Sequence, residues 1–445
     1  MSRSDLRSVI KYSAYVERAT QDFTGRGWVF ETINDWLALP EGPRFFLLTG
    51  APGSGKTAIA GRLLQFAQGD VPPPEGLGAL ARGFVSAVHF CSDRQGGANH
   101  PLHFVQSLAD QFMRTLPSAY TEGLVGNQDV PAPAVNVGQI QGGASGAQVI
   151  GVYIENLVLS SMSPEEAFHR LIWNPLASLF SRGFDRQVVV LVDGLDEARR
   201  YSGPVGIANL LARADTLPAG VRFLVTSRPD PWTLRPLQPS LPVECSLSSG
   251  HSQSQQDVEQ YALHMLFKYP QLGSNLEPGY SAAECAHDVV EECGGSFLHA
   301  VSCLSELAVS GVQITRESLR GMSQTLAGFY RNLLARVAGR DEYVWLGQYQ
   351  VLLGTLAVAR EALTEGQLAD FVGTSVLPIR RRLTNLREIL TVDESLPPER
   401  RSWSLFHHSF SDFLVDSTRA GEFYCDTKHQ HARFVAYYRR KLRLE

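Results

Sequence analysis

The sequence predicts an α/β fold: a parallel sheet covered by helices, followed by a helical bundle domain and then a winged-helix domain. Three observations lead there. Between Phe23 and about Arg235, short continuously apolar runs alternate with helix-period segments, and strands buried on both faces of a parallel sheet require such runs. After the Ser/Gln-rich stretch Ser246 to Gln256 the sheet-like runs stop and helical spacing takes over. Further on, helical patterns precede two strand candidates joined by a loop, and a short helix closes the unit. A chain of 445 residues exceeds one hydrophobic core and suggests two to four domains at about 150 residues each.

Taken in order, residues 1–22 are polar and weakly helical, a lead-in too short to fold alone. Residues 23–240 form the sheet domain, with strands expected at Phe45 to Leu48, Phe84 to Phe90, Val188 to Val192 and Phe223 to Val225. Within it, residues 134–159 carry apolar side chains at alternating positions on both sides of a Gly/Ser turn, which predicts an inserted β-hairpin folded onto its own domain. Residues 241–325 read as a helical domain, with helices over Asp257 to Tyr269 and Ala283 to Cys293. Residues 326–420 read as the winged helix. Its strand candidates, Ile389 to Val392 and Trp403 to Phe406, flank a loop containing Pro397-Pro398-Glu399-Arg400-Arg401. Residues 421–445 begin a further helical segment.

Composition narrows the function classes. Forty basic against forty-five acidic residues give a net charge of -5, so the chain as a whole offers no attractive field to nucleic acid or an anionic membrane. No apolar run approaches the roughly 20 residues that span a bilayer, and no signal sequence is evident. Six scattered cysteines without a C-x-x-C pair predict core thiols rather than a disulfide framework or a zinc site. These features predict a soluble, cytoplasmic protein.

The chemistry is concentrated in three segments. Gly50-Ala51-Pro52-Gly53-Ser54-Gly55-Lys56-Thr57 matches the P-loop pattern G-x-x-x-x-G-K-[ST] in full. An apolar strand runs into it and a helical pattern, beginning at Thr57-Ala58, runs out. The glycines allow backbone N–H groups to approach phosphate oxygens at a helix N-terminus. Lys56 should reach the β- and γ-phosphates, and the Thr57 hydroxyl should hold Mg²⁺. Val188 to Val192 then delivers Asp193 at the carboxyl end of a strand, where it would complete the Mg²⁺ shell. Asp196 and Glu197 follow on a turn, and one of them would orient a hydrolytic water. Finally, Val225-Thr226-Ser227-Arg228 ends a third strand and places Arg228 as a sensor of the γ-phosphate. With no Asn-Lys-x-Asp segment to select guanine, the nucleotide is expected to be ATP/ADP.

These segments, with Phe23-Thr24-Gly25-Arg26 ahead of them and "FHHSFSDFL" (Phe406 to Leu414) behind, follow an order that resembles the NACHT-type STAND P-loop ATPases, signalling relatives of AAA+ proteins that include the NOD-like receptors. The resemblance spans about residues 23–420. It implies three domains folded around ADP, Arg26 and Ala58 at the nucleotide site, and a winged-helix histidine, His407, on the β-phosphate. Ser409-Phe410-Ser411-Asp412 has the form of a helix start, which would leave His407 just ahead of that helix. Two positions depart from the family's pattern: Gly27 stands where an acidic residue usually follows the arginine, and Gly294-Gly295-Ser296 replaces Gly-x-Pro.

The resemblance implies a nucleotide-gated signalling switch: ADP at rest, exchange to ATP on activation by an unknown ligand or protein, slow hydrolysis, and self-association when open. The alternative is an AAA+-like motor or DNA-binding ATPase using the winged helix, suggested by Arg380-Arg381-Arg382 and Arg387.

Overall fold

The computed structural model describes residues 13–91, 98–125, 136–139, 150–153, 162–199, 201, 203–248, 251–293, 295–320, 326–337, 342–392, 397, 400–406 and 408–441. His407 lies outside the described residues, as does the turn of the 134–159 insertion.

Five parallel strands form the central sheet: β1 (Phe45–Thr49), β2 (Val85–Phe90), β5 (Val188–Asp193), β6 (Val221–Ser227) and β7 (Val243–Ser246), in the order β2-β5-β6-β1-β7. All residues of β1, β2, β5 and β6 are buried. Helices cover both faces, so no position on these strands meets water; Phe45–Leu48 and Val188–Val192 are accordingly apolar without a break, while β2 and β6 also bury Ser86, His89, Arg222, Thr226 and Ser227. Separate clusters of buried side chains occupy the two faces. Phe45, Val190 and Phe223 point one way, and Phe46, Leu191 and Leu224 the other. Strands β3 (Asn136–Gln139) and β4 (Ile150–Tyr153), inside the 134–159 insertion, pair antiparallel with Asn136 opposite Tyr153.

The sheet runs past residue 240, the limit expected from sequence. Edge strand β7 pairs with β1, Cys245 opposite Leu48. Its four residues bury only Cys245, so no periodic apolar run announces it. The lead-in also has a place. Helix Ser13–Thr20 lays Val16 and Thr20 on the helix Lys56–Gln68, where Gly61 leaves room for both side chains.

Beyond β7 the described chain is helical, with Ser252–Lys268, Ala282–Glu292, Phe297–Ser310 and Leu326–Val337. A mixed unit follows: helix Gln350–Val358, strand β8 (Leu363–Thr364), helices Glu365–Val372 and Val376–Asn385, then β9 (Leu390–Val392) and β10 (Ser402–Leu405). The strands form an antiparallel sheet ordered β8-β10-β9. The sequence reading found β9 and β10 but not the two-residue β8, which is too short to show a period. Helices His408–Leu414 and Thr427–Lys441 complete the chain. A single buried cluster runs from Val258 to Cys425 through both the helical and the mixed region, so these two parts share one core.

The helix expected at the Ser409 segment is present. The helix already begins at His408, and buried Ser409 meets the Tyr330 hydroxyl at 2.6 Å.

Candidate nucleotide site

Backbone geometry builds the cradle. Gly53 and Gly55 take φ of 76° and 93°, in the left-handed region that glycine enters without strain. Side chains would also collide here: a Cβ on Gly50 would strike the Ser54 hydroxyl, and one on Gly53 would strike Leu298. Gly55 is the N-cap of helix Lys56–Gln68, so the loop ends on unpaired N–H groups at the positive end of a helix dipole. Half-buried Lys56 turns its ammonium back onto the loop, donating to the carbonyls of Gly50 (2.7 Å) and Ala51 (3.0 Å). Burial pulls its pKa down to about 8, against the carboxylates of Asp196 and Asp193. An anion seated in the cradle would offset that burial.

Asp193, 1% exposed at the end of β5, accepts from the Thr57 hydroxyl at 2.9 Å and from the Thr226 hydroxyl at 2.6 Å. Burial raises its pKa while these two hydrogen bonds hold it down. The two residues expected to share Mg²⁺ therefore already touch. A buried carboxylate beside a hydroxyl is a hard-oxygen donor set that suits Mg²⁺. Thr226, unassigned in the sequence reading, also accepts from the Gly194 N–H at 2.9 Å and so fixes the turn after β5.

On that turn Asp196 is committed to Arg228. One oxygen accepts from the Arg228 backbone N–H at 3.1 Å, and the other pairs with its Nε at 2.9 Å. The same guanidinium donates to Asp412, on helix His408–Leu414, at 2.6 Å. Glu197 lines the cavity beside them.

Arg26 enters from the other side with a left-handed backbone, φ 67°. Its guanidinium is buried. It donates to the Ser54 carbonyl (2.7 Å) and the Ser254 hydroxyl (3.1 Å), pairs with Asp257 at 3.3 Å, and stacks 4.6 Å from the Phe297 ring centroid. Asp257 also accepts the Arg26 N–H at 2.8 Å and the Trp28 indole N–H at 2.9 Å. Helix Ser252–Lys268 thus supplies the carboxylate that holds Arg26.

Arg26, Lys56, Thr57, Asp196, Glu197, Thr226 and Arg228 border one cavity of about 660 Å³, walled further by Tyr261, Phe297 and Leu298 of the helical part and by Trp403 and Phe406 of the mixed unit; Asp193, Asp257 and Asp412 are not part of its lining. The Leu298 N–H donates to the Gly53 carbonyl at 3.2 Å, tying the helical part directly to the loop. The predicted residues Arg26, Pro52, Gly53, Gly55, Lys56, Thr57, Ala58, Asp196, Glu197 and Arg228 all line it. Sequence reasoning missed Thr226, Asp257, Phe297 and Asp412. Only Thr226 and Asp412 lay within motifs it had quoted, and the partners of the others come from more than 200 residues away.

Residues 22–225 match the family model described as an AAA ATPase domain. This stretch is similar to AAA ATPase domains and has the parallel sheet of the P-loop ATPase fold. No curated protein matches the sequence. Among solved structures the chain is similar to the Walker-type ATPase of Pyrococcus abyssi, at 13% identity over 88% of this chain and 96% of that one, with a TM-score of 0.41. It is also similar to the Aeropyrum pernix Orc1 protein solved in complex with DNA, at 17% identity over 93% and 94%, TM-score 0.36. A RuvB variant of Thermotoga maritima gives 13% identity over 87% and 95%, TM-score 0.32. Among the described residues no helix is long and apolar enough to cross a membrane.

Proposed function

We propose that this AAA-type chain is a nucleotide-gated signalling switch of the NACHT/STAND kind. It holds ADP at rest, exchanges it for ATP on activation, hydrolyses ATP slowly and associates with itself once open. One observation carries the reading: Arg228, at the end of β6 beside the phosphate cradle, is bound at the same time by Asp196 of its own domain and Asp412 of the C-terminal region. A γ-phosphate arriving beside Arg228 competes with Asp412 for the same donors. Binding ATP therefore weakens the junction that closes the molecule, while ADP leaves it intact.

The roles follow from the chemistry. Lys56 and the N–H groups of Gly53 to Ala58 bind the phosphates; Thr57 and Asp193 hold Mg²⁺, which neutralises charge between them. Asp196 positions Arg228 through both oxygens, so Glu197 is the residue that orients water. Arg26 braces the loop from behind. The β8-β10-β9 unit with its three helices is read as a winged helix, and His407 as its contact to the β-phosphate; its neighbours Phe406 and Ser411 line the cavity. Moving such a switch from 1:99 to 99:1 requires a differential affinity of about 5.5 kcal/mol.

Light scattering of the purified chain, first with ADP and then with a non-hydrolysable ATP analogue, tests this reading. The switch expects a monomer that retains ADP and a larger species with the analogue. His407→Ala should lose ADP faster.

A second reading, a DNA-dependent ATPase, draws on Arg380 and Arg381, which are exposed on helix Val376–Asn385, although Arg380 is paired with Glu365 at 2.9 Å. Fast turnover stimulated by duplex DNA would favour it over the switch.

A further inference from the structure

Away from the phosphates, the helical part contains a compact set of sulfur and nitrogen donors that no step above uses. Cys293 closes helix Ala282–Glu292, and His299 and Cys303 lie one turn apart on helix Phe297–Ser310. Their exposures are 4%, 1% and 1%, and their ligand atoms all lie within 4.8 Å of one another. Some point therefore lies within about 2.8 Å of all three, so modest side-chain movement reaches the bond lengths of about 2.3 Å to sulfur and 2.0 Å to nitrogen that zinc takes.

The histidine supplies the second observation. Its Nε2 is buried and has no hydrogen-bond partner, a costly condition for a polar atom in a core. The ring's hydrogen bond goes instead to the backbone of Cys293, which with Nε2 unpartnered assigns it to Nδ1. An Nδ1–H held by a carbonyl, leaving the Nε2 lone pair exposed to a ligand, is how proteins orient metal-binding imidazoles.

We propose that Cys293, His299 and Cys303 form a structural binding site for a thiophilic d¹⁰ dication of the zinc class. On binding, each thiol gives up its proton to solvent, so two thiolates and a neutral imidazole cancel the dication's charge. That makes the complex neutral, the one state such an interior tolerates without a further counter-ion. Three protein ligands leave the fourth position to water. Because the donors are buried, the ion is taken up as the domain folds. The site braces the turn between the two helices. That turn leads directly into Phe297, which stacks on Arg26, and Leu298, which holds the Gly53 carbonyl, so occupancy stiffens the support behind the phosphate loop.

The test uses the full chain purified without chelator or metal-affinity resin. About one zinc per chain should survive dialysis, and replacement by Co²⁺ should produce thiolate-to-metal charge-transfer absorption. Cys293→Ser/Cys303→Ser should lose both signals, whereas Cys285→Ser, a buried thiol of the same part, should keep them. X-ray absorption at the zinc edge of the wild-type protein needs no substitution and should show sulfur and imidazole scatterers. An oxygen-only shell, metal retained by the double variant, or folded wild-type protein that takes up neither zinc nor cobalt would overturn the site. None of these readouts depends on nucleotide.

Discussion

Two arginines join the ATPase domain to the rest of the chain, and they do so in opposite ways. At Arg26 the pair with Asp257 has side chains 4% and 7% exposed, every contact described above is to protein, and an aromatic ring covers the guanidinium. At Arg228 the pair with Asp412 is 27% and 26% exposed and opens on the cavity. Breaking a buried pair leaves an uncompensated charge and costs about 3–5 kcal/mol. A solvent-accessible pair contributes about 0–1 kcal/mol. In the proposed switch the first junction stays closed throughout, and the second sits within the energy that a bound phosphate can redirect. Such a switch needs one of each.

Substitutions can break or sharpen this contrast, beginning with the largest effect. Lys56→Ala removes the only ammonium in the phosphate loop and should abolish nucleotide binding in calorimetric titration; measurable ADP affinity in that variant would mean the cradle has been assigned wrongly. Glu197→Gln should bind ATP normally but slow turnover by about 10²- to 10⁴-fold in a phosphate-release assay, and the same loss in Asp196→Asn alone would exchange the two roles.

The two junctions are compared directly by removing each carboxylate. Asp257→Ala should lower stability to denaturant by about 3–5 kcal/mol. Asp412→Ala should lower it by less than about 1 kcal/mol, yet raise the fraction of open or associated protein at a given ATP concentration. Equal stability losses would erase the distinction between a fixed and a gated junction.

A pH series sharpens it further. In the empty protein the Lys56 pKa is about 8, below its ordinary 10.5, because burial disfavours the ammonium. Below pH 8 the lysine is protonated whether the chain is folded or not, and the burial cost is fully present. Between 8 and 10.5 the unfolded chain binds the extra proton, so the empty protein gains stability as pH rises. Phosphate needs the ammonium, so nucleotide affinity should fall above pH 8, approaching about tenfold per pH unit, with proton uptake on binding. Lys56→Arg should flatten that profile.

Much of this was legible because it is local. The P-loop, Asp193 at a strand end and Arg228 after "VTS" are each set within about ten residues, by a backbone shape or a strand buried on both faces. Continuous runs such as Val188 to Val192 read clearly as buried strands. Short strands do not, which is why β7 and β8 went unread. Where the sequence reading set a domain edge at 240, pairing with β1 carried the sheet on to Ser246.

Sequence alone determined the P-loop of this protein, the α/β fold that carries it, and most of the side chains that gather beside the loop. Only the tertiary structure decided who holds the two arginines. Asp257 and Asp412 are 231 and 184 residues from their partners, and an isolated aspartate in a helix carries no mark of the charge it will meet. Local patterns record the cost of burying or bending a segment, whereas a long-range ion pair is recorded nowhere until packing brings its two halves together.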